Sequence, residues 1–132
     1  MQSFREAVEA RDTDAMAALL ADDVVFTSPV AFKPYPGKPI TAAILRGVMR
    51  VFEDFRYVRE ITDAEGRDHA LVFEATVAGK KITGCDFLHV NDDGLIDDFM
   101  VMVRPLSGAT ALADAMGAQF DRIQREAAEV SG

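Results

Sequence analysis

Asp86 is the residue whose position in this chain points most directly to chemistry. It lies in a run from Lys80 to Val90 that is predicted to be a β-strand, where side chains alternate between two faces. Asp86 therefore shares an apolar face with Ile82 and Leu88. A carboxylate on such a face must find donors, take up a proton or line a wet cavity. It could act in a pocket as an acid or hydrogen-bond donor to a carbonyl or enolate, or it could be a buried Asp bonded to a neighbouring hydroxyl or amide.

Two hydroxyl groups, Ser28 and Tyr35, could reach the mouth of such a pocket. Both lie in segment 28–39, which holds four of the five prolines and is predicted to be a stiff, irregular loop. Each also has an ordinary structural interpretation. A serine before proline is a common turn residue, and Tyr35 could pack over the loop prolines.

The remaining reactive side chains are few. His69 and His89 have ordinary pKa values near neutrality, but His89 falls on the face opposite Asp86 and His69 lies near a strand end. Cys85 points away from Asp86 and has no neighbouring cation that would lower the pKa of its thiol. With one cysteine and two histidines, the sequence predicts no metal site and no cofactor.

Composition limits the classes of partner. The chain has 132 residues, 49% hydrophobic content and a net charge of −8. The charge argues against nucleic acids and anionic membranes, and no apolar run is long enough to span a bilayer. The N-terminus lacks a secretory core and the single cysteine excludes an internal disulfide, so we predict a cytoplasmic protein.

The predicted elements are typical of an α+β domain covering residues 1–132. Helices are predicted at 3–11, 14–21 and from about 40 to 52, strands at 24–27, 55–62, 69–78, 80–90 and 95–104, and a C-terminal helix at about 109–128. Asp93-Gly94 indicates one hairpin, and a turn at Gly79-Lys80 would pair Phe73 with Asp86 in another. Hairpin-linked strands after the first helices predict a curved, mostly antiparallel sheet with helices against one face.

The pattern also predicts two surfaces of the sheet. The inward surface, together with the third helix, would form the walls of the pocket: Phe26, Ile44, Met49, Phe52, Tyr57, Leu71, Phe73, Leu88 and Phe99. Most of these residues would also serve as simple core, and the two interpretations differ only in whether a void exists. The outward surface would carry Phe87, His89, Met100 and Met102, an apolar row more typical of a two-fold dimer interface than of free surface.

Three stretches carry a resemblance to known proteins: ALLADDVVFTSPV at 18–30, the tripeptide Gly-Cys-Asp at 84–86 and DDGLIDDFMVMVRP at 92–105. They resemble the nuclear transport factor 2-like superfamily, in its SnoaL-like polyketide cyclase and ketosteroid-isomerase-like branches. The resemblance implies a cone-shaped, strongly bent sheet closed by helices, an apolar pocket inside the cone and a homodimer formed through the outer face of the sheet. The superfamily includes enzymes and non-catalytic binding proteins, so fold alone does not assign a reaction.

Carrying the ketosteroid isomerase site onto this sequence leaves one of its three groups in place. The catalytic base of that enzyme corresponds to Ser28, and its oxyanion-hole tyrosine corresponds to Phe4. The second oxyanion donor, a carboxylic acid kept neutral by an apolar site, corresponds to Asp86. The resemblance therefore argues against ketosteroid isomerase activity.

Together these inferences predict a small-molecule-binding domain. The first hypothesis is a cofactor-independent isomerase, cyclase or dehydratase acting on an apolar, carbonyl-bearing metabolite, with Asp86, Tyr35 and Ser28 as candidate catalytic residues. The second is a non-catalytic dimeric module that binds a ligand or a protein in the same cone. The third is a structural dimerisation unit with a filled core.

Overall fold

The structure is a computed structural model that describes residues 2–131. Its helices are α1 (Gln2–Glu9), α2 (Thr13–Ala18), α3 (Lys38–Val51), α4 (Leu106–Gly117) and α5 (Phe120–Ser131). Its strands are β1 (Leu20–Thr27), β2 (Tyr35–Pro36), β3 (Glu53–Thr62), β4 (Asp68–Val77), β5 (Lys80–Val90) and β6 (Ile96–Arg104).

The six strands form one open sheet in the order β2-β1-β6-β5-β4-β3. All neighbouring strands are antiparallel except β1 and β6, which run parallel. The register shifts within the β1–β6, β3–β4 and β5–β6 pairs, and such bulges bend the strands. The sheet is therefore curved, with the helices on its concave face, which confirms the predicted α+β class.

The β4–β5 hairpin has the predicted faces but a different turn. Ala78 and Gly79 form the two-residue loop with φ values of 47° and 80°, so the turn lies one residue before the predicted Gly79-Lys80. Asp86 consequently pairs with Leu71 and not with Phe73. The pairing moves by two residues, which is one full side-chain period, so Asp86 still points inward.

Two predictions near the N-terminus are wrong in their bounds. Helix α2 ends at Ala18 and β1 already begins at Leu20, where sequence periodicity placed a helix to residue 21 and a strand from residue 24. Pairing of Leu20 with Ile96 explains the longer strand, because a neighbouring strand supplies bonds that local periodicity does not reveal. The proline-rich loop also contains the short strand β2, whose Tyr35 pairs with Phe26.

The C-terminal helix is divided into α4 and α5 by a turn at residues 118–119. This break lets α5 fold back onto α3, where Gln119 Nε2 donates to the Gly47 carbonyl at 2.8 Å. Arg46 and Arg50 of α3 form ion pairs with Glu126 of α5, at 2.7 and 3.0 Å. A single helix over 109–128, as the apolar stripe suggested, could not make these contacts.

The hydrophobic core lies between the concave face and the helices. Phe73, Phe99, Phe4 and Met16 are almost fully buried there, each about 1% exposed. Within residues 2–131, no helix combines the length and the apolar character that a membrane span requires.

Candidate functional site

A cavity of about 370 Å³ remains between the concave face and the helices. This volume falls in the lower part of the roughly 300–1,000 Å³ range of small-molecule pockets. Most of its lining is aliphatic or aromatic. The side chains with hydrogen-bonding oxygens in the lining are Ser28, Tyr35, Tyr57 and Asp86, and the lining includes no Lys, Arg or His of the described chain. The presence of this void argues against the hypothesis of a dimerisation unit with a filled core.

Seven of the nine predicted wall residues line the cavity: Phe26, Ile44, Met49, Phe52, Tyr57, Phe73 and Phe99. The prediction is wrong for Leu71 and Leu88, which are 0% and 2% exposed and lie in the core outside the lining. Both residues share the inward face with Asp86, but a residue on that face borders the void only where no other side chain packs over it.

Sequence reasoning missed the contribution of the C-terminal hairpin to the cavity. Helices α4 and α5 supply Leu112, Met116, Phe120 and Ile123 to the lining. The apolar stripe of these residues was visible in the sequence, but the turn that folds α5 back was not.

Asp86 and Tyr57 form a hydrogen-bonded pair at the cavity. Asp86 is 7% exposed, and the Tyr57 hydroxyl donates to its Oδ2 at 2.9 Å. Within residues 2–131 the protein offers Asp86 Oδ1 no hydrogen-bond donor, so this oxygen can bond a ligand. The sequence placed Tyr57 in the pocket wall but gave no sign that it bonds Asp86.

Gly84 leaves room for the Phe73 ring, which lies in the wall that carries Tyr57. Tyr57 pairs with Phe73 across β3 and β4, and Phe73 pairs with Gly84 across β4 and β5. A Cβ atom on Gly84 would lie 2.2 Å from Phe73 Cζ, so the Phe73 ring lies over the bare backbone of β5. The Phe73 ring also stacks on the Phe55 ring, with centroids 4.9 Å apart. An aromatic layer thus fixes the wall from which Tyr57 reaches Asp86.

Burial controls the ionisation of both partners. Desolvation raises the pKa of Asp86 to about 7, against the opposing effect of the Tyr57 hydrogen bond. Burial and the nearby Asp86 charge raise the pKa of Tyr57 well above its usual value, so its hydroxyl stays protonated. Near neutral pH the site therefore holds a neutral phenol beside a carboxyl group present in both protonation states.

Arg5 contacts Tyr57 from helix α1. Its guanidinium carbon lies 5.6 Å from the centroid of the Tyr57 ring, and its charge acts to lower the pKa of Tyr57. Arg5 also pairs with Glu60 at 3.0 Å and with Glu9 at 3.8 Å. These contacts tie the tyrosine side of the site to α1.

Ser28 and Tyr35 both line the cavity, but neither bonds Asp86 in the described chain. The Ser28 hydroxyl accepts a hydrogen bond from the Val30 amide at 3.1 Å, as expected of a turn residue. The Tyr35 ring packs against the Phe120 ring, with centroids 5.9 Å apart.

The histidines and Cys85 lie outside the cavity lining. His69 is buried and bonds Thr62 Oγ1 at 2.9 Å and the Gly66 carbonyl at 3.0 Å. His89 pairs with Asp97 at 2.6 Å, and this contact raises the pKa of His89. Burial raises the pKa of the Cys85 thiol. No group of three or more His, Cys, Asp or Glu in the described part of the chain is arranged to hold a metal ion.

The sequence model of the SnoaL-like domain matches residues 1–99. No curated protein is significantly similar to the chain. A crystal structure of a steroid delta-isomerase from Pseudomonas aeruginosa is 41% identical, with a TM-score of 0.88 over 94% of this chain and 90% of that one. A bacterial protein with a cystatin-like fold from Silicibacter pomeroyi is 37% identical, with a TM-score of 0.87 over 95% and 89%.

A proposed polyketide cyclase from Pseudomonas putida shares the fold at 20% identity, with a TM-score of 0.66 over 81% of this chain and 90% of that one. The family match covers most of the chain, and the similarity to the isomerase structure extends through nearly all of it. The open six-stranded sheet and its helices are consistent with the fold similarity of these structures. The chain belongs to the SnoaL-like domain family and has the nuclear transport factor 2-like fold.

Proposed function

We propose that the protein binds a small, apolar, carbonyl-bearing molecule in the cavity and acts on it as a cofactor-independent enzyme of the isomerase or cyclase type. The observation that carries the proposal is the Asp86 carboxyl group, which borders an apolar cavity and has one oxygen that receives no donor from residues 2–131. The isomerase and cyclase descriptions of structural neighbours support the same class of reaction.

The lining favours a neutral ligand with few oxygen atoms. A carboxylate or phosphate would meet Asp86 and no cation among the described lining residues, whereas a ketone oxygen would meet a protonated carboxyl group. In this form Asp86 donates to the carbonyl oxygen. That hydrogen bond strengthens as a proton leaves the neighbouring carbon and an enolate forms. Ser28 and Tyr35 are proposed to orient the ligand or a water molecule that accepts the proton.

The test is deuterium exchange at the carbons beside the carbonyl of 2-tetralone in D2O, followed by proton NMR. We expect wild-type protein to accelerate exchange above buffer. Asp86→Ala, which removes the donor, should lower the rate by about 100-fold, the lower range for a general acid or base. The rate should fall as pH rises through about 7, because ionisation removes the donor. A rate that rises over this range would instead make Asp86 the base.

A non-catalytic binding module is the second candidate. Ser28 offers no carboxylate, and Phe4 is buried against the Phe99 ring, with centroids 5.5 Å apart, in place of a tyrosine. This candidate predicts saturable binding of 2-tetralone without exchange, and a loss of affinity in Asp86→Ala. An enzyme would lose turnover more than affinity in the same variant.

We also propose a two-fold homodimer formed through the convex face of the sheet. Register pairs Ile61 with Ala70, Ala70 with Phe87, and Phe87 with Met100, so one apolar row crosses four strands. Met102 adjoins this row and is 53% exposed, while Phe87 is 37% exposed. His89 lies at the polar border, paired with Asp97.

The single Cys85 supports the prediction of a reducing, cytoplasmic location.

A further inference from the structure

The exposed lining residues show where the cavity meets solvent. Nearly all side chains that border the cavity are buried or half-buried. Among lining residues whose burial is described, the two exposed ones are Val30, in the loop between β1 and β2, and Gly117, the last residue of α4. These residues belong to segments that are distant in sequence and border the same void. The loop at Val30 and the end of α4 are therefore the places where the lining is most open to solvent.

Gly117 has no conformational or packing reason to be glycine. Its φ lies outside the left-handed region, and an added Cβ would meet no atom of the described residues within 4 Å beyond its own neighbours and helix backbone. The other two helical glycines differ in this respect. A Cβ on Gly47 would lie 2.8 Å from Ile123 Cδ1, and one on Gly108 would lie 2.3 Å from Ile82 Cγ2. Alanine favours a helix more than glycine does, so helix propensity does not account for the glycine either.

We propose that ligands enter the cavity between Val30 and Gly117, and that the missing side chain of Gly117 sets the cross-section of the molecules that can pass. The inference rests on the proposed function, since it assumes that the cavity takes small apolar molecules. Gly117 lies beyond residues 1–99, so this side of the entrance is built by a segment outside the part matched by the family model. It is thus a specificity-determining position that the family match does not assign.

The experiment measures how fast an apolar dye enters. The probe is 1-N-phenylnaphthylamine, whose fluorescence rises in apolar surroundings, mixed with protein by stopped flow. Gly117→Leu should lower its association rate constant by roughly tenfold, within the range that variants of one site commonly span. Gly117→Ala should lower it less, and Val30→Phe, on the other side of the opening, should act in the same direction. The smaller ketone 2-tetralone should be affected less than the dye.

The matched control is Ala118→Leu, which adds the same side chain at the next residue, exposed and outside the lining. Its association rate should equal that of wild type. Circular dichroism melting curves establish that each variant is folded. If Gly117→Leu is unfolded, Gly117→Ala still tests the inference. Equal rates in wild type, Gly117→Leu and Gly117→Ala would overturn the inference, as would a wild type that does not take up the dye.

The two proposals fail in different ways. Loss of the proposed function would appear as a cavity that takes up the dye but neither binds 2-tetralone nor catalyses its exchange. Loss of the entrance inference would appear as a dye association rate that does not respond to residue 117. Rates that fall equally in Gly117→Leu and Ala118→Leu would also contradict it, because a general effect on the α4–α5 turn would then explain the change.

Discussion

At the scale of single residues, the site depends on the Asp86 carboxyl group, whose burial disfavours its ionised form. Asp86 is 7% exposed and has one neutral donor among residues 2–131, Tyr57, which restores part of the lost solvation. The difference between a pKa of about 7 and the ordinary value of 3.8 corresponds to roughly 4 kcal/mol. Because the folded pKa is raised, the group favours folding most below its unfolded pKa, and this contribution is lost as pH rises through about 7.

The sequence could predict half of this arrangement. Alternation along β5 placed Asp86 inward, since a one-residue error in the hairpin turn moves the strand pairing by two residues and leaves the faces unchanged. The sequence could not identify Tyr57 as the hydrogen-bond partner of Asp86. A bulge between Tyr57 and Arg59 shifts the register of β3 against β4, and the alternation of side chains in the sequence does not reveal a bulge. Nor could it separate Leu71 and Leu88, which are core, from Phe73, which borders the cavity.

The carboxyl titration of Asp86 tests this electrostatic account. In carbon NMR, the Asp86 side-chain carboxyl should titrate near pH 7, far above the unperturbed midpoint of about 3.9. Tyr57→Phe should move the midpoint upward, because the hydroxyl hydrogen bond lowers the pKa of Asp86. Asp86→Asn assigns the resonance. A midpoint at or below about 4 would mean a solvated or amide-bonded carboxylate, and the donor role would then be wrong.

At the scale of elements, α5 closes the cavity by docking on α3. Gly47 lies at the contact, where Ile123 and Gln119 pack against its backbone. Glu126 forms ion pairs with both Arg46 and Arg50. The sequence showed the apolar stripe that includes Ile123, but the stripe continued across residues 118–119 and so predicted one helix. The turn is decided by contacts with α3, which are remote in sequence and absent from any local pattern.

Gly47→Ala tests whether this close approach holds α5 in place. The added methyl group would lie 2.8 Å from Ile123 Cδ1 and 3.3 Å from Gln119 Nε2, so the Ile123 side chain must move, either by changing its own packing or together with α5. We expect the free energy of unfolding, from urea titration, to fall by about 1–3 kcal/mol, as in other overpacked cores. Hydrogen exchange should also increase in α5. Gly117→Ala is the matched control, expected to be neutral or to stabilise by up to about 1 kcal/mol.

A second variant separates steric overlap from general damage to α3. Removing one methyl group in Gly47→Ala/Ile123→Val should recover part of the lost stability, because the colliding atom is Ile123 Cδ1. Unchanged stability in Gly47→Ala would show that α5 does not need the close approach. No recovery in the double variant would place the damage within α3 itself.

At the scale of the whole molecule, two features oppose each other on the convex face. Each copy carries a net charge of −8, which disfavours association of two copies at long range. The row from Ile61 to Met100 is apolar, and covering it removes hydrophobic surface from water. Added salt screens the repulsion and leaves the apolar contribution, so the proposed dimer should strengthen with ionic strength.

Met102→Glu provides the decisive test of the dimer. The residue is 53% exposed on the convex face, so the substitution should leave the fold intact while placing an unpaired carboxylate in the proposed interface. Sedimentation equilibrium should show a wild-type dimer and a dissociation constant raised on the order of 100-fold or more in the variant. Leu106→Glu is the matched control, since Leu106 is 83% exposed at the start of α4 and lies outside the sheet. A monomeric wild type, or equal weakening by both substitutions, would contradict an interface on this face.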